Sequence, residues 1–378
     1  MTVDRCLRIA HLDTGRTWRG GQGQALGLMR ELAHRGHSQM LLAPAGPLFE
    51  KAQAAGLTAI AWESHGELDL PAMLAARRAF AAFTPDVAHL HSAHAHALGA
   101  LPARWAGVPA TVVARRVDFK VATNPFSRLK YALPVDRYFC ISRGVAQVMR
   151  QSGIAEPKLV LVPSGVDLDA VRAEAALPAP GLRAWLGIPA DAEVVGTVAS
   201  LAPHTHHGQR LDAVPAVLAA RPGTHFVWLG EGECRAALER HRAALGLERV
   251  VHMPGFHSQA KALMRQFTLF ALTSHLEGLC TSLLDAQALG VPIVATAVGG
   301  IPEVITDDVT GGLVPTLEPA RVAECIVAAL ADPQRRARWV VAAAESVRTF
   351  SIAATAERTL SEYARVLTER QCAHGGRR

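Results

Sequence analysis

The stretch SHLEGLCTSLLDAQALGVPIVATAVGGIPEVI, residues 274–305, decides the fold. It follows an apolar run, FTLFALTS (267–274), and passes through a helix with period 3.6 over TSLLDAQALG before entering a second apolar run, VPIVAT. Strand, helix and strand in that order form a βαβ unit, and its continuously apolar strands belong to a parallel sheet buried on both faces. The helix is expected to open at about Gly278, with Glu277 before it and Asp285 eight residues further on. At 3.6 residues per turn this spacing puts both carboxylates on one side. The N–H groups of the first turn, around Leu279 to Ser282, make a natural phosphate seat. On spacing alone the blander alternative stays open: Glu277 as a helix N-terminal charge and Asp285 as a solvated surface residue.

The same rhythm extends in both directions. After LPAPG (177–181) come the strand runs AEVVGTVASL, THFVWLGEG and RVVHMPGF, separated by RLDAVPAVLAARP, CRAALERHRAALG and QAKALMRQ. Before it, LRIAHLDT, SQMLLAP, LTAIAW, DVAHLHS, PATVVARR and DRYFCIS alternate with helices such as GQALGLMRELAHRG. Two doubly wound α/β domains follow, at 1–178 and 179–349, with a last helix at 350–370. An apolar stripe through Val347, Phe350, Leu360, Tyr363 and Val366 marks the C-terminal piece as a helix pair.

With 378 residues, 50% hydrophobic and 19% charged, the chain is long enough for two cores. The net charge of +6 is lopsided: residues 1–180 hold 20 Lys and Arg against 14 Asp and Glu, whereas the rest is balanced. Such an excess attracts nucleic acid, an anionic membrane face or a phosphorylated substrate. Aromatic residues at 5%, with no stacking series beside the basic cluster, argue against a nucleic-acid partner, and none is expected. Six dispersed cysteines without a CxxC pair fit a reducing compartment. No signal-peptide h-region and no span of about 18 apolar residues is present. The expected location is cytoplasmic, with peripheral contact at the inner membrane face through the first domain.

The string from Glu277 through ALGVPIVATAVGGIPEVI to Glu303 resembles the signature of family 4 of the retaining glycosyltransferases, of the GT-B fold. The resemblance implies two Rossmann-like doubly wound domains facing a cleft, with the C-terminal helix crossing back to the first domain. It also implies a nucleotide-sugar donor, a UDP-sugar being the expected one, with no cofactor and no metal. Glu277 would lie by the donor sugar. Asp285, where the family has Glu, would hold the ribose, together with Gly278, Leu279, Thr281 and Ser282 around the phosphates.

Further donor contacts follow from the same resemblance: Gly20 and Gly21 in an N-terminal glycine loop, Gly230, Glu231 and Gly232 near the nucleotide, and Pro254, Gly255, Phe256 and His257 beside the base. In DVAHLHSAHAH, His91 is the candidate at the donor sugar, with His89 filling the strand and His94 and His96 in a loop. Ser164 stands for Asn in the family's PNGVD segment. In that segment Asp167 and Asp169 form an Asp-x-Asp that, in the other glycosyltransferase fold, would bind metal; two complete α/β halves argue against it. The basic residues Arg115, Arg116 and Lys120 are candidates for a phosphorylated or lipid-linked acceptor.

In SLAPHTHHGQRL (200–211) the family's phosphate-binding Arg and Lys are replaced by Ser200 and Thr205. His204, His206 and His207 could be read as a zinc cradle, but one short loop without Cys or carboxylate is a poor tetrahedral site. His206 or His207 would supply the missing charge when protonated. The expected function is a retaining, metal-independent transfer of a sugar to a cell-envelope glycan, such as lipopolysaccharide, or to a lipid-linked acceptor. The alternative is a catalytically weak or inactive GT-B scaffold of a polysaccharide assembly system.

Overall fold

The computed structural model describes residues 5–117, 125–203, 207–275, 277–315 and 317–375. The chain divides into two compact units, Met1–Gly165 with Ile352–Arg378, and Val166–Ser351. The first division falls earlier than the Pro178–Pro180 linker because Val166 pairs with Ser351 and so belongs to the second unit.

The first unit holds strands β1 (Arg8–Leu12), β2 (Ser38–Ala43), β3 (Thr58–Ala61), β4 (Val87–Leu90), β5 (Ala110–Arg115), β6 (Arg137–Cys140) and β7 (Leu159–Leu161), in the spatial order β3-β2-β1-β4-β5-β6-β7. The second holds β8 (Val194–Val198), β9 (His225–Leu229), β10 (Val251–Gly255), β11 (Leu269–Leu272), β12 (Ile293–Thr296) and β13 (Gly312–Val314), in the order β10-β9-β8-β11-β12-β13. Every pairing in both sheets is parallel. The central strands β4, β11 and β12 are buried at every residue, as strands covered on both faces must be. Edge strand β3 is largely exposed.

Each sheet grows outward from one strand and then restarts on that strand's other side. The order reverses between β1 and β4, and again between β8 and β11. At such a point the two following connections leave in opposite directions, opening a crevice outside the carboxyl ends of the strands.

The expected apolar stripe of the C-terminal helix pair is split. Val347 and Phe350 lie in a 3-10 turn, and Ser351, with extended φ −69° and ψ 151°, breaks the helical period before the helix Ile352–Gly375 begins. That helix buries Ile352, Ala356, Tyr363 and Val366 in one core with Leu7, Ile9, Leu28 and Leu32 of the first unit. Ion pairs from Arg137 to Glu369 and from Arg370 to Asp136 tie its end to β6.

Gly196 is packed face-on by an aromatic ring: a Cβ there would stand 2.0 Å from the Phe267 ring. Gly196→Ala is therefore expected to lower stability by about 1–3 kcal/mol through overpacking, read as a shifted urea midpoint. An unchanged midpoint would show that the ring yields freely.

Candidate functional site

In the crevice between β1 and β4 four polar side chains form a hydrogen-bonded chain. Gln39 Nε2 donates to the His37 carbonyl at 3.1 Å, which orients the amide so that its oxygen faces His11 Nε2 at 2.7 Å. His11 therefore carries its proton on Nε2 and accepts at Nδ1, where His91 Nε2 donates at 2.8 Å. His91 Nδ1 is left to accept from Arg116 Nη2 at 3.0 Å, while Arg116 Nη1 donates to the His91 carbonyl at 2.9 Å. Burial lowers the pKa of His11 to about 4 and holds His91 well below the usual imidazole range, so both rings stay neutral and the tautomers are fixed. His91 is 4% exposed.

His11, His89 and His91 place ligand-type atoms within 4.8 Å of one another. The set does not fit a metal. Coordination through His91 Nε2 would put the remaining proton on Nδ1, opposite the Arg116 guanidinium, which is also a donor. His89 Nδ1 instead meets the Tyr363 hydroxyl at 2.6 Å. His89, Arg116 and Ser164 line a cavity of about 30 Å³, enough for one water.

Several sequence expectations change here. Gly20 and Gly21 are the first residues of the helix Gly20–His34 rather than a loop. The extended Arg19 serves as the N-cap, and a Cβ on Gly21 would meet only Arg116 Cδ, at 3.8 Å. His94 and His96 lie in the helix Ala93–Trp105, with His96 buried between Tyr131 and Tyr138. Arg115 ends β5 beside Tyr131, whereas Arg116 is committed to His91 rather than forming a solvated basic face. Lys120 lies outside the described residues. Asp167 caps the helix Leu168–Ala175 by accepting from Ala170 N, and Asp169 is paired with Arg172, so the Asp-x-Asp pair serves local structure.

In the second unit, loops at the carboxyl ends of β8, β9 and β10 are stitched together through their backbones. Leu201 N donates to Glu231 O, Cys234 N to Leu201 O, and Gly230 N to Gly255 O. This gathers Ser200, Gly230, Glu231, Gly232, Pro254 and Gly255 on one edge. Arg235 pairs with Glu231 at 3.2 Å and also donates to Met253 O. Phe256 is 74% exposed, and His257 packs against Trp185. His207 is no surface cation: it is buried, and its Nε2–H donates to the Ser200 carbonyl. His204, Thr205 and His206 lie outside the described residues.

The helix after β11 starts at Thr281, not Gly278, because the extended Cys280 is its N-cap. Glu277 therefore precedes the helix, and helical spacing does not set its relation to Asp285. Its backbone is fixed by the loop after β12, where Gly300 N donates to Glu277 O at 2.9 Å. Gly299 makes that approach possible: it has φ +54°, and a Cβ would stand 1.9 Å from Glu277 O. Ser274 Oγ donates to Glu277 Oε2 at 3.4 Å. Gly278 and Leu279 are buried, while Thr281 and Ser282 at the start of the helix are half-buried. Cys280 Sγ sits over the first turn, in contact with Ser282 Oγ at 3.0 Å, and burial raises its pKa. Asp285 makes no side-chain hydrogen bond among the described residues, and burial lifts its carboxyl to about 6 against the opposing pull of Lys261.

Sequence reasoning missed Arg210. Its side chain is 0% exposed at the β8–β11 crevice, donating to Thr197 Oγ1 on β8 and, from Nε at 3.0 Å, to Thr273 Oγ1 just after β11. In GQRLDAV it reads as one more polar residue on a helix, and only the tertiary fold reveals its position. His11, Gln39 and Tyr363 were missed for the same reason: their partners are remote in sequence.

The family model described as Glycosyl transferases group 1 matches residues 181–346, and the one described as Glycosyltransferase Family 4 matches residues 18–170. The chain is 35% identical over 244 residues to the D-inositol 3-phosphate glycosyltransferase of Kineococcus radiotolerans, covering 58% of this chain and 55% of that protein. Its identity to the protein of the same name from Mycobacterium tuberculosis is 34% over 237 residues, covering 59% and 47%. The chain thus spans about half the length of the curated relatives it matches. In structure it resembles Anabaena HepE in complex with UDP, with a TM-score of 0.82, 19% identity and coverage of 95% of this chain and 100% of that one. A glycosyltransferase from Rickettsia africae gives a TM-score of 0.82 at 18% identity, covering 96% and 99%.

Burial of neutral histidines makes stability depend on pH. Burial lowers the pKa values of His11, His89, His91 and His96, the last to about 3. Above about pH 6.5 the folded and unfolded chains are both neutral at these sites. Below it only the unfolded chain takes up protons, so stability falls with pH, by roughly 2 kcal/mol per histidine at pH 5. Urea titrations at pH 7 and pH 5 are expected to show the loss, and His96→Phe to reduce it; an equal loss in both proteins would contradict the assignment for His96.

Proposed function

Because the chain belongs to the glycosyltransferase family that these two models describe, we propose that it is a retaining, metal-independent enzyme moving a sugar from a nucleotide-sugar, a UDP-sugar first, to a cell-envelope glycan or lipid-linked acceptor. The observation that carries the proposal is the placement of Glu277: it stands outside the helix, after β11, with its backbone locked by Gly299 and Gly300. A carboxylate fixed in this way holds a sugar hydroxyl in one orientation without having to reorganise.

Asp285 is the ribose ligand in this reading. Its carboxylate has no hydrogen-bond partner of its own among the described residues, and a pair of vicinal hydroxyls would supply two. Phe256 and His257 flank the base, and the loops at Ser200 and Gly230–Gly232 bring backbone groups toward the phosphates. The leaving diphosphate is stabilised by the amide ends of the helices His207–Ala220 and Thr281–Ala288. The acceptor hydroxyl attacks from the face the diphosphate vacates, and the departing phosphate takes its proton. His91, buried with both ring nitrogens taken by His11 and Arg116, shapes the wall of its crevice rather than hydrogen-bonding a substrate itself. The names of the curated relatives make a phosphorylated inositol one acceptor to try, with Arg115 and Lys120 as candidates for its phosphate, Arg116 being held by His91. No helix among the described residues is long and apolar enough to cross a membrane, so a lipid-linked acceptor would be met at the membrane surface.

The test is acceptor-dependent release of nucleoside diphosphate from a panel of UDP-, GDP- and ADP-sugars, with and without EDTA, and NMR of the product anomer. Turnover that survives EDTA with the donor's anomeric configuration retained is expected, and Glu277→Gln should lower kcat by about 100-fold. Full activity in Glu277→Gln would overturn the site, and an inverted product the mechanism.

Asp285 adds a pH signature. Only its ionised form accepts from both ribose hydroxyls, so nucleotide-sugar affinity should rise as pH passes upward through about 6. The expected gain is about tenfold between pH 5 and pH 7. Asp285→Asn should bind more weakly with a flat profile; an unaltered profile in that variant would remove Asp285 from the site.

A further inference from the structure

The guanidinium of Arg210 is a buried charge without a balancing anion. Its side chain is 0% exposed, forms no ion pair among the described residues, and lies 5.3 Å from the centre of the Trp228 ring. Two threonine hydroxyls are its hydrogen-bond partners, and Nη2 has none. Removing a cation from water without a partner is costly, and a fold normally retains one only where something repays that cost. Burial lowers its pKa to about 9, which leaves it charged at neutral pH.

Its location says what could balance it. Thr197 is on β8 and Thr273 directly follows β11, so Arg210 bridges the two strands between which the sheet order reverses. Ligands of open α/β sheets bind outside the carboxyl ends of the strands at that point. Arg210 itself lies in the first turn of the helix His207–Ala220, whose amide end also favours an anion. Thr273 Oγ1 accepts from Arg210 Nε and makes no other hydrogen bond among the described residues, so its own proton is left to donate.

We propose that Arg210 is the built-in counter-charge for the diphosphate of a nucleotide ligand at the β8–β11 crevice, acting through Thr273 and through its field rather than by touching the reacting atoms. This rests on the nucleotide-sugar reading above. Arg210 is a positioning residue: it favours the more highly charged ligand and is indifferent to the base and ribose.

The test compares the wild-type protein with Arg210→Met and Arg210→Lys. Calorimetry gives affinities for the best-bound of UDP, GDP and ADP and for the corresponding nucleoside, and thermal shift reports the response to inorganic pyrophosphate. Arg210→Met is expected to weaken the diphosphate at least about tenfold while the nucleoside changes by less than about twofold, and the ligand-free protein should melt no lower than wild type because an unbalanced buried charge is gone. Arg210→Lys should restore part of the preference for the diphosphate. A lowered melting temperature with unchanged preference would mark Arg210 as a purely structural residue and overturn the inference. If Arg210→Met does not fold, Arg210→Lys decides by whether the preference shrinks. Arg210-dependent stabilisation by pyrophosphate without binding of any nucleotide would keep the anion site and defeat the nucleotide reading. The absence of both would defeat both.

Discussion

The reversal of strand order is the constraint on which the rest depends. Each sheet places the first of its strands in the chain beside the fourth, β1 beside β4 and β8 beside β11. The connecting segments then leave in opposite directions, so the carboxyl edge is open there and closed elsewhere. Polar side chains that enter such an opening lose water and must find partners. The two crevices solve this differently. In the first, Gln39, His11, His91 and Arg116 form a chain in which donors and acceptors alternate from end to end. In the second, Thr197 and Thr273 satisfy only part of Arg210. The first chain is internally paired, and the second crevice retains a cation with no ion pair among the described residues.

Glu277 shows how backbone packing sets the position of a loop residue. A carboxylate on an unsupported loop would sample many orientations and lose entropy on binding. Here the loop after β12 runs against the Glu277 carbonyl, a contact that requires a glycine at position 299. The same device joins the edges of β8, β9 and β10, where Ser200, Gly230 and Gly255 lie on mutually hydrogen-bonded loops. The carboxyl edge of the second unit is thus built from strand ends and backbone contacts, and side chains such as Phe256 are added to it.

The fold was legible in the sequence because parallel strands buried on both faces spell continuous apolar runs, and FTLFALTS and VPIVAT did so without ambiguity. Motif positions were legible through family resemblance, but their local geometry was only partly so. Gly20 and Gly21 read as a loop and form a helix start, since two glycines without side-chain caps carry no signal for either state. Glu277 and Asp285 read as helical neighbours, although Cys280 delays the helix to Thr281. His207 read as a replacement charge for the donor phosphates but is buried, with Nε2 donating to the Ser200 carbonyl. Arg210 gave no sign, because burial of a helical arginine depends on which strands lie under it, and those are β8 and β11, far apart in the chain.

The proposed nucleotide-sugar site lies at the β8–β11 crevice of the second unit, with Glu277 and Asp285 as its sugar and ribose ligands. The most direct measurement is a crystal structure of the protein soaked with a nucleotide-sugar that it binds in solution. The account predicts the diphosphate outside the carboxyl ends of β8 and β11 near Thr273, the ribose hydroxyls on Asp285 and the sugar at Glu277. A nucleotide seated elsewhere, with these carboxylates and the crevice empty, would contradict it.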